Sequence, residues 1–314
     1  MKKLLIVLFL FICMPVIAQE SCDCDRDMDI VEKLGVLDTN TSKISKIIPQ
    51  KEIKKIFKLQ ERYTNRQDIE GIKSIYADKY VSCDGFDKKI FADLAEKTWK
   101  TYKNLKYKCY VRNIILTGDN TASVEVEEYI EGLSYGGTKY ITNGYGLLEN
   151  VSKSVYFLEK INEKWQIVSD NIYFEHTFLT YGSAKFIPSY LSSPEQVSAG
   201  SNYEISLSVV PPKNSVVIGS LAKENITYPQ ISAGEVFRKL PETNVLERII
   251  KANTKNLNEY AVAFYVVMDT NGSENIETLQ MKFTGVGIAM NRVNVIPKNK
   301  YIKVENEKVS QEHK

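Results

Sequence analysis

Residues 122–130 read Ala122-Ser123-Val124-Glu125-Val126-Glu127-Glu128-Tyr129-Ile130. Ala122, Val124, Val126 and Ile130 fall on one side of an alternating pattern, with Ser123, Glu125, Glu127 and Tyr129 on the other. A period of two is that of a half-buried strand. Its apolar face is interrupted once, by Glu128. Working outward, Tyr107–Leu116 is also strand-like and meets this run through the turn cluster Gly118-Asp119-Asn120. On the far side lies a glycine- and tyrosine-rich loop holding Gly136, Gly137, Gly144 and Gly146. Beyond it, Lys153–Lys160 and Trp165–Phe174 flank Asn162-Glu163-Lys164 as a hairpin. Short turns join antiparallel neighbours, so these runs predict an antiparallel meander.

The chain ahead of the meander has a helical period. Ile53, Ile56, Phe57, Gln60 and Tyr63 recur at three- and four-residue spacing, which places Tyr63 on the same stripe as Ile56. Asp68 caps a second helix with Ile69, Ile72, Ile75 and Tyr76 as its apolar positions. A short strand, Tyr80 to Cys83, runs into the turn Asp84-Gly85. Asp87 then caps a third helix, with Phe86 and Phe91 spaced as a hydrophobic staple and Phe91, Leu94, Ala95, Thr98 and Tyr102 facing inward. Helices followed by a meander predict an α+β fold, with helices on one face of a curved antiparallel sheet.

Several stretches also resemble a known family. They are Asp68-Ile69-Glu70-Gly71-Ile72, Tyr76-Ala77-Asp78, Val81-Ser82-Cys83-Asp84-Gly85, Gly118-Asp119-Asn120-Thr121-Ala122, and the closing Leu158-Glu159-Lys160-Ile161-Asn162-Glu163-Lys164-Trp165-Gln166-Ile167-Val168. In their order and spacing, residues 50–182 resemble the nuclear transport factor 2-like superfamily, in its SnoaL-like branch with the cystatin-like fold. The resemblance implies a sheet curled into a cone with an open mouth and closed at the back by helices. Members include dehydratases, isomerases, epoxide hydrolases and binding or assembly modules with no reaction, so the fold alone does not decide the function.

Residues 183–300 change character. Pro188, Pro194, Pro211, Pro212 and Pro229 punctuate short runs of period two, among them Tyr203-x-Ile205-x-Leu207-x-Val209 and Val216–Leu221. Tyr260–Met268 and Ile276–Phe283 flank Asp269-Thr270-Asn271-Gly272, and Asn-Gly is a strong hairpin signal. Val286–Ile296 supplies a last strand, while Leu246–Ala252 reads equally as a helix or a strand. About seven strands in this span predict an immunoglobulin-like sandwich. The expected organisation is a signal peptide over 1–18, a polar arm over 19–48, the helix-backed domain over 49–182, the sandwich over 183–300 and a polar tail over 301–314.

The signal peptide is read from Met1-Lys2-Lys3, the apolar run Leu4 to Ile12, and Val16 and Ala18 at a cleavage site after Ala18. The run is short for a membrane span and Pro15 interrupts it. Export to a periplasmic or extracellular compartment is therefore expected, with no stable membrane span. The whole chain carries a formal charge of +2 over 314 residues, and removal of Lys2 and Lys3 brings it to balance. No basic cluster suits a phosphate backbone, so nucleic acid is not an expected partner. Hydrophobic residues at 43% and charged residues at 25% exclude disordered and multi-span membrane classes.

Four cysteines would follow the cleavage: Cys22, Cys24, Cys83 and Cys109. Cys83 and Cys109 both lie in strand-like runs and are the expected disulfide, with free buried thiols as the alternative. Cys22-Asp23-Cys24 lacks the spacing of a zinc site. Asp23, Asp25, Asp27 and Asp29 open like a calcium loop, but Met28 stands where its turn needs glycine and Leu34 where it needs an acid. No metal and no cofactor are expected. Gly144-x-Gly146 and Gly285-x-Gly287 lack the third glycine of a dinucleotide loop.

The candidate site residues are Tyr63, Asp84, Glu128 and Asp170, with Glu175 beside Asp170 on the closing strand. The resemblance extends to the ketosteroid isomerase branch, where a helix tyrosine donates to a developing enolate and a carboxylate after the first strand moves the proton. Tyr63 and Asp84 match those places, whereas Val151 to Ser154 offers no acid for the second donor of that branch. Each has a plainer reading: Tyr63 as a packed tyrosine, Asp84 as turn chemistry, Glu128 as a carboxylate meeting water at the cone mouth. His176 is the only histidine in an expected element, which disfavours His-rich metal sites and hydrolase triads. The first expectation is an exported binding protein whose conical pocket takes a small apolar ligand or whose surface takes a protein partner, with a possible homodimer through the N-terminal sheet. The alternatives are a cofactor-free isomerase or lyase using Tyr63 and Asp84, and an assembly module whose cone is filled by its own side chains.

Overall fold

Asp68 and Asp87 each accept a hydrogen bond at 2.8 Å from a backbone N–H three residues on, Gly71 and Ile90. Such caps stabilise a helix start by about 1 kcal/mol each. They fix two of the three α-helices among the described residues: α1 (Thr41–Arg66), α2 (Ile69–Ile75) and α3 (Lys88–Thr101). The fold is taken from a computed structural model, which describes residues 41–141, 144–229, 236–270 and 281–298. Helix α1 begins inside the stretch expected as a polar arm. Pro49 stands inside this helix, where it removes one backbone donor. The signal peptide, Cys22 and Cys24, the acidic run, the Asn271-Gly272 turn and the 301–314 tail lie outside the described residues.

Strand β1 (Tyr76–Val81) lies between α2 and α3. The meander is β2 (Tyr102–Gly118), β3 (Thr121–Tyr135), β4 (Tyr145–Ile161) and β5 (Lys164–Gly182), each antiparallel to the next. Register shifts at Val111/Asn113 in β2 and at Lys153/Ser154 in β4 are bulges, which bend a sheet and increase its twist. The concave face packs on the helices. Ile53 and Phe57 of α1, Ile72 and Ile75 of α2 and Trp99 of α3 meet Val124, Val126, Tyr156, Leu158 and Ile167 in one buried cluster. Gly71 permits this close approach, since a Cβ there would stand 2.5 Å from Cδ1 of Tyr63.

The second half of the chain provides β6 (Ser189–Ser192), β7 (Gln196–Ser198), β8 (Asn202–Val209), β9 (Ser215–Asn225), β10 (Arg238–Lys239), β11 (Val245–Lys251), β12 (Glu259–Thr270) and β13 (Met281–Ile296). The open reading of Leu246–Ala252 resolves as a strand. Two layers are present, but one of them is shared with the meander. Strands β10-β9-β12-β13 continue directly into β5-β4-β3-β2, and with β1 paired to β5 and β7 paired to β13 they make one ten-stranded sheet, while β11-β8-β6 form a separate three-stranded sheet. Residues 46–314 accordingly form one compact unit. An immunoglobulin-like sandwich is therefore not borne out: one of the two layers is a continuation of the meander sheet, and only β11-β8-β6 stands apart.

The reason lies in β12. Its run Tyr260-Ala261-Val262-Ala263-Phe264-Tyr265-Val266-Val267-Met268 does not alternate, as expected of a strand buried on both faces. Ala261, Ala263, Tyr265 and Val267 pack with Leu191, Ile205, Leu207 and Leu246 of the small sheet. Tyr260, Val262, Phe264 and Val266 turn the other way, onto Leu148, Leu179 and Tyr102 of the first half. Strand β5 joins the halves: its first part pairs with β1 through Ile167 and Ser169, and its last part, His176 to Gly182, pairs with β13.

Candidate functional site

Helix α1 turns through about 100° per residue, so Ile53, Phe57, Gln60 and Thr64 lie on one narrow stripe. Ile53 and Phe57 fill the apolar core, and Gln60, only 6% exposed, continues their line into the cone. Gln60 and Thr64 line a cavity of about 270 Å³ between the helices and the concave face of the sheet. Apolar walls come from Ile72 of α2, Phe91, Leu94, Ala95 and Trp99 of α3, and Ile130, Leu148 and Ile172 of the sheet. Tyr228, Pro229, Tyr260 and Met290 complete the wall from the second half of the chain.

Glu128 reaches this space from β3, in register with Cys109 on β2 and Ser152 on β4, and is 7% exposed. Its carboxylate accepts hydrogen bonds from the hydroxyls of Tyr107 and Tyr156, the latter at 2.9 Å. Gln60 Nε2 donates to Glu128 at 3.4 Å and to the Tyr107 hydroxyl at 3.0 Å, and the hydroxyls of Ser152 and Ser154 approach at 3.4 Å. Gln60 Oε1, buried in the same wall, has no hydrogen-bond partner. Burial raises the Glu128 pKa above the ordinary carboxylate range; the tyrosine hydroxyls oppose this and the Asp170 charge adds to it.

Asp170, on β5, also lines the cavity and accepts from the Tyr80 hydroxyl at 2.7 Å and the Cys83 backbone N–H at 3.1 Å. Burial raises its pKa too, against those hydrogen bonds. Glu175, further along β5, accepts from Asn150 at 3.2 Å, Tyr228 at 3.1 Å and Tyr260 at 2.9 Å. Two residues apart, Glu175 and Thr177 both face the cavity, so His176 between them faces away and pairs with Asn291. Burial lowers the His176 pKa.

Of the expected site residues, the structure brings together Asp84, Glu128 and Asp170 and leaves Tyr63 out. Tyr63 sits about 90° around α1 from the buried stripe. Its ring packs over Gly71 and its hydroxyl accepts from Arg62 Nη2 at 3.3 Å. Asp84 lines the cavity, but its carboxylate is held by Arg292 Nη2 and by Asn258 Nδ2 at 2.9 Å. Arg292, wholly buried on β13, also lies 3.6 Å from Glu175 and 3.3 Å from Cys83 Sγ.

The expected Cys83–Cys109 bridge is absent, and both residues are free thiols. In the sheet order β1-β5-β4-β3-β2, Cys83 follows the first strand and Cys109 lies on the last. Burial pushes the Cys83 thiol up to about 12.

In the sequence, Gln60 stands only as one member of the helical stripe, and Tyr63, not Gln60, is the residue expected opposite Glu128. Tyr107 and Tyr156 had no signal beyond the alternation of their strands. Arg292, Tyr228 and Tyr260 were hidden by the expectation that residues 183–300 fold separately.

No protein-family model matches the chain, and no curated protein does. Solved structures similar to it include a putative scytalone dehydratase from Novosphingobium aromaticivorans, at 8% identity and a TM-score of 0.36 over 41% of this chain and 86% of that one. A hexachlorocyclohexane dehydrochlorinase, LinA type 2, is similar at 13% identity and a TM-score of 0.35, over 41% of this chain and 87% of that one. A ketosteroid isomerase-like protein from Erwinia carotovora atroseptica is similar at 17% identity and a TM-score of 0.29, over 38% of this chain and 90% of that one. Each of these likenesses spans about two fifths of this chain and is one of fold alone. Among the described residues, no helix is long and apolar enough to cross a membrane.

Proposed function

We propose that the protein is an exported binding protein whose cavity takes a small, largely apolar molecule. The carrying observation is the unpartnered Gln60 Oε1 in the wall of a cavity lined mainly by aromatic and aliphatic side chains. A few convergent polar groups in an apolar hollow are the usual arrangement of a small-molecule site. A cavity of about 150 Å³ holds benzene, so about 270 Å³ suits one ring with a short arm.

Ala95→Phe would fill the cavity from α3. A thermal-shift panel of one-ring apolar compounds should stabilise the native chain and leave Ala95→Phe unmoved. Saturation at a hundredfold excess over Kd is worth about 2.7 kcal/mol. No shift with any compound, together with a less stable Ala95→Phe, would instead establish a filled, structural cone. Export is checked separately: the protein recovered from its host should begin at Gln19 or within a few residues of it.

An isomerase or lyase remains the second reading, favoured by the raised pKa of a cavity carboxylate, Glu128. It would have to work without Tyr63 and with Asp84 bound to Arg292. A homodimer is proposed through the outward face of the meander, where Tyr110, Ile115 and Phe157 are exposed.

A further inference from the structure

The polar groups of the cavity are unbalanced in two ways. Asp84, Glu128, Asp170 and Glu175 all line it, and no lysine, arginine or histidine does among the described residues. The nearest cation, Arg292, is already engaged by Asp84 and Glu175. Glu128 and Asp170 therefore have hydrogen bonds but no counter-ion. Their tyrosine donors are likewise spent, because the hydroxyls of Tyr80, Tyr107 and Tyr156 point at these two carboxylates.

What the wall has left to offer is acceptors, with Gln60 Oε1 the one that has no partner. Leaving a buried acceptor unmet costs roughly 1–3 kcal/mol, which an incoming donor recovers. The rest of the wall is aromatic, including Tyr76, Phe91, Trp99 and Tyr102. Ring faces attract cations, the indole most strongly. Acceptors without donors, carboxylates without cations and aromatic faces all select the same chemistry.

We infer that the cavity takes an arylalkyl ammonium ion, its N–H groups toward Gln60 and Glu128 and its ring among Phe91, Leu94 and Trp99. The inference rests on the binding reading above and names its ligand class. Binding has a proton consequence. Glu128 faces Gln60 from α1, Tyr107 and Cys109 from β2, Ser152, Ser154 and Tyr156 from β4, and Asp170 from β5; Tyr76 of β1 and Asp170 couple to it electrostatically. None of these is a cation, so burial raises its pKa while no ligand is bound. An ammonium ion supplies the missing charge and draws that pKa down again, so binding and proton release are linked.

Titration calorimetry with 2-phenylethylammonium, 2-phenylethanol and 3-phenylpropanoate tests this on the full chain. The ammonium ion should bind at least tenfold more tightly than the alcohol at pH 8, and the carboxylate not at all. Its affinity should rise with pH and its heat should depend on the buffer, while the alcohol shows neither effect. Glu128→Gln should weaken the ammonium ion at least tenfold, and by more than it weakens the alcohol. The pH and buffer measurements use the native chain, so they decide the matter even if the variant does not fold. An alcohol that binds as well as the ammonium ion, or an ammonium affinity flat with pH, overturns the inference and leaves the binding reading intact. Failure of all three probes overturns the inference; failure of the neutral apolar panel as well removes the binding reading too.

Discussion

Asp84 and Arg292 stand 208 residues apart in the chain and meet as a buried ion pair behind the cavity wall. One follows the first strand of the meander sheet; the other belongs to β13, the last strand among the described residues. Removing one partner of such a pair leaves an uncompensated charge and costs about 3–5 kcal/mol. Asp84→Asn should lose that much unfolding free energy in urea titration. A variant within about 0.5 kcal/mol of the native chain, the scatter of a neutral surface change, would mean that the pair is not formed in solution.

Glu128→Gln should leave stability at neutral pH unchanged or raise it, because it removes a desolvated carboxylate. The sign with pH follows from the raised folded pKa. Between the ordinary value of 4.5 and the folded value, the folded chain holds a proton that the unfolded chain has released. Native stability therefore falls as pH rises through that window, by about 1.4 kcal/mol for each unit by which the pKa is raised. Asp170 contributes in the same sense from 3.8 upward. Urea titrations between pH 4 and 8 should show a shallower decline for Glu128→Gln. Parallel curves would place Glu128 in water.

The thiols should be slow to react. Alkylation of the native chain should leave the Cys83 and Cys109 peptides unmodified until denaturant is added, since the thiolate is the reactive form and burial disfavours it. Recovery of the two peptides joined by a disulfide would contradict the structure.

The boundary proposed near residues 182–188 has a direct test in a fragment of residues 49–182. Its helix-and-meander core is intact, but Asp84 and Glu175 lose Arg292, and the cavity loses Tyr228, Pro229, Tyr260 and Met290. We expect cooperative unfolding at reduced stability, without binding of the one-ring compounds. A molten fragment would make the two halves a single folding unit.

Local chemistry was the legible part of this fold. The caps at Asp68 and Asp87 and the alternation from Ala122 to Ile130 each depend on neighbours in sequence, and each stands as read. Glu128 was visible for the same reason, as a charge out of phase with its strand. Tyr63 was misplaced because its spacing from Ile56 defines a helical line without telling which of two adjacent lines is the buried one; Ile53 and Phe57, fully buried, settle it in favour of Gln60. The Asp84–Arg292 pair and the shared sheet depend on contacts between residues hundreds of positions apart. No local period encodes those. The one clue was the unbroken apolar run of Tyr260–Met268, which asks for cover on two sides rather than one.

Strand β5 serves two partners at different times. As the chain is synthesised, the stretch from His176 to Gly182 can pair with β4 at once, but its other edge waits until Met281–Ile296 has been made. About a hundred residues, or at least five seconds at ordinary elongation rates, separate the two events. An open edge is a template for pairing with another copy. The interval in which newborn chains are most exposed to mispairing is therefore set by the distance in sequence between β5 and β13, and truncations between them would prolong it indefinitely.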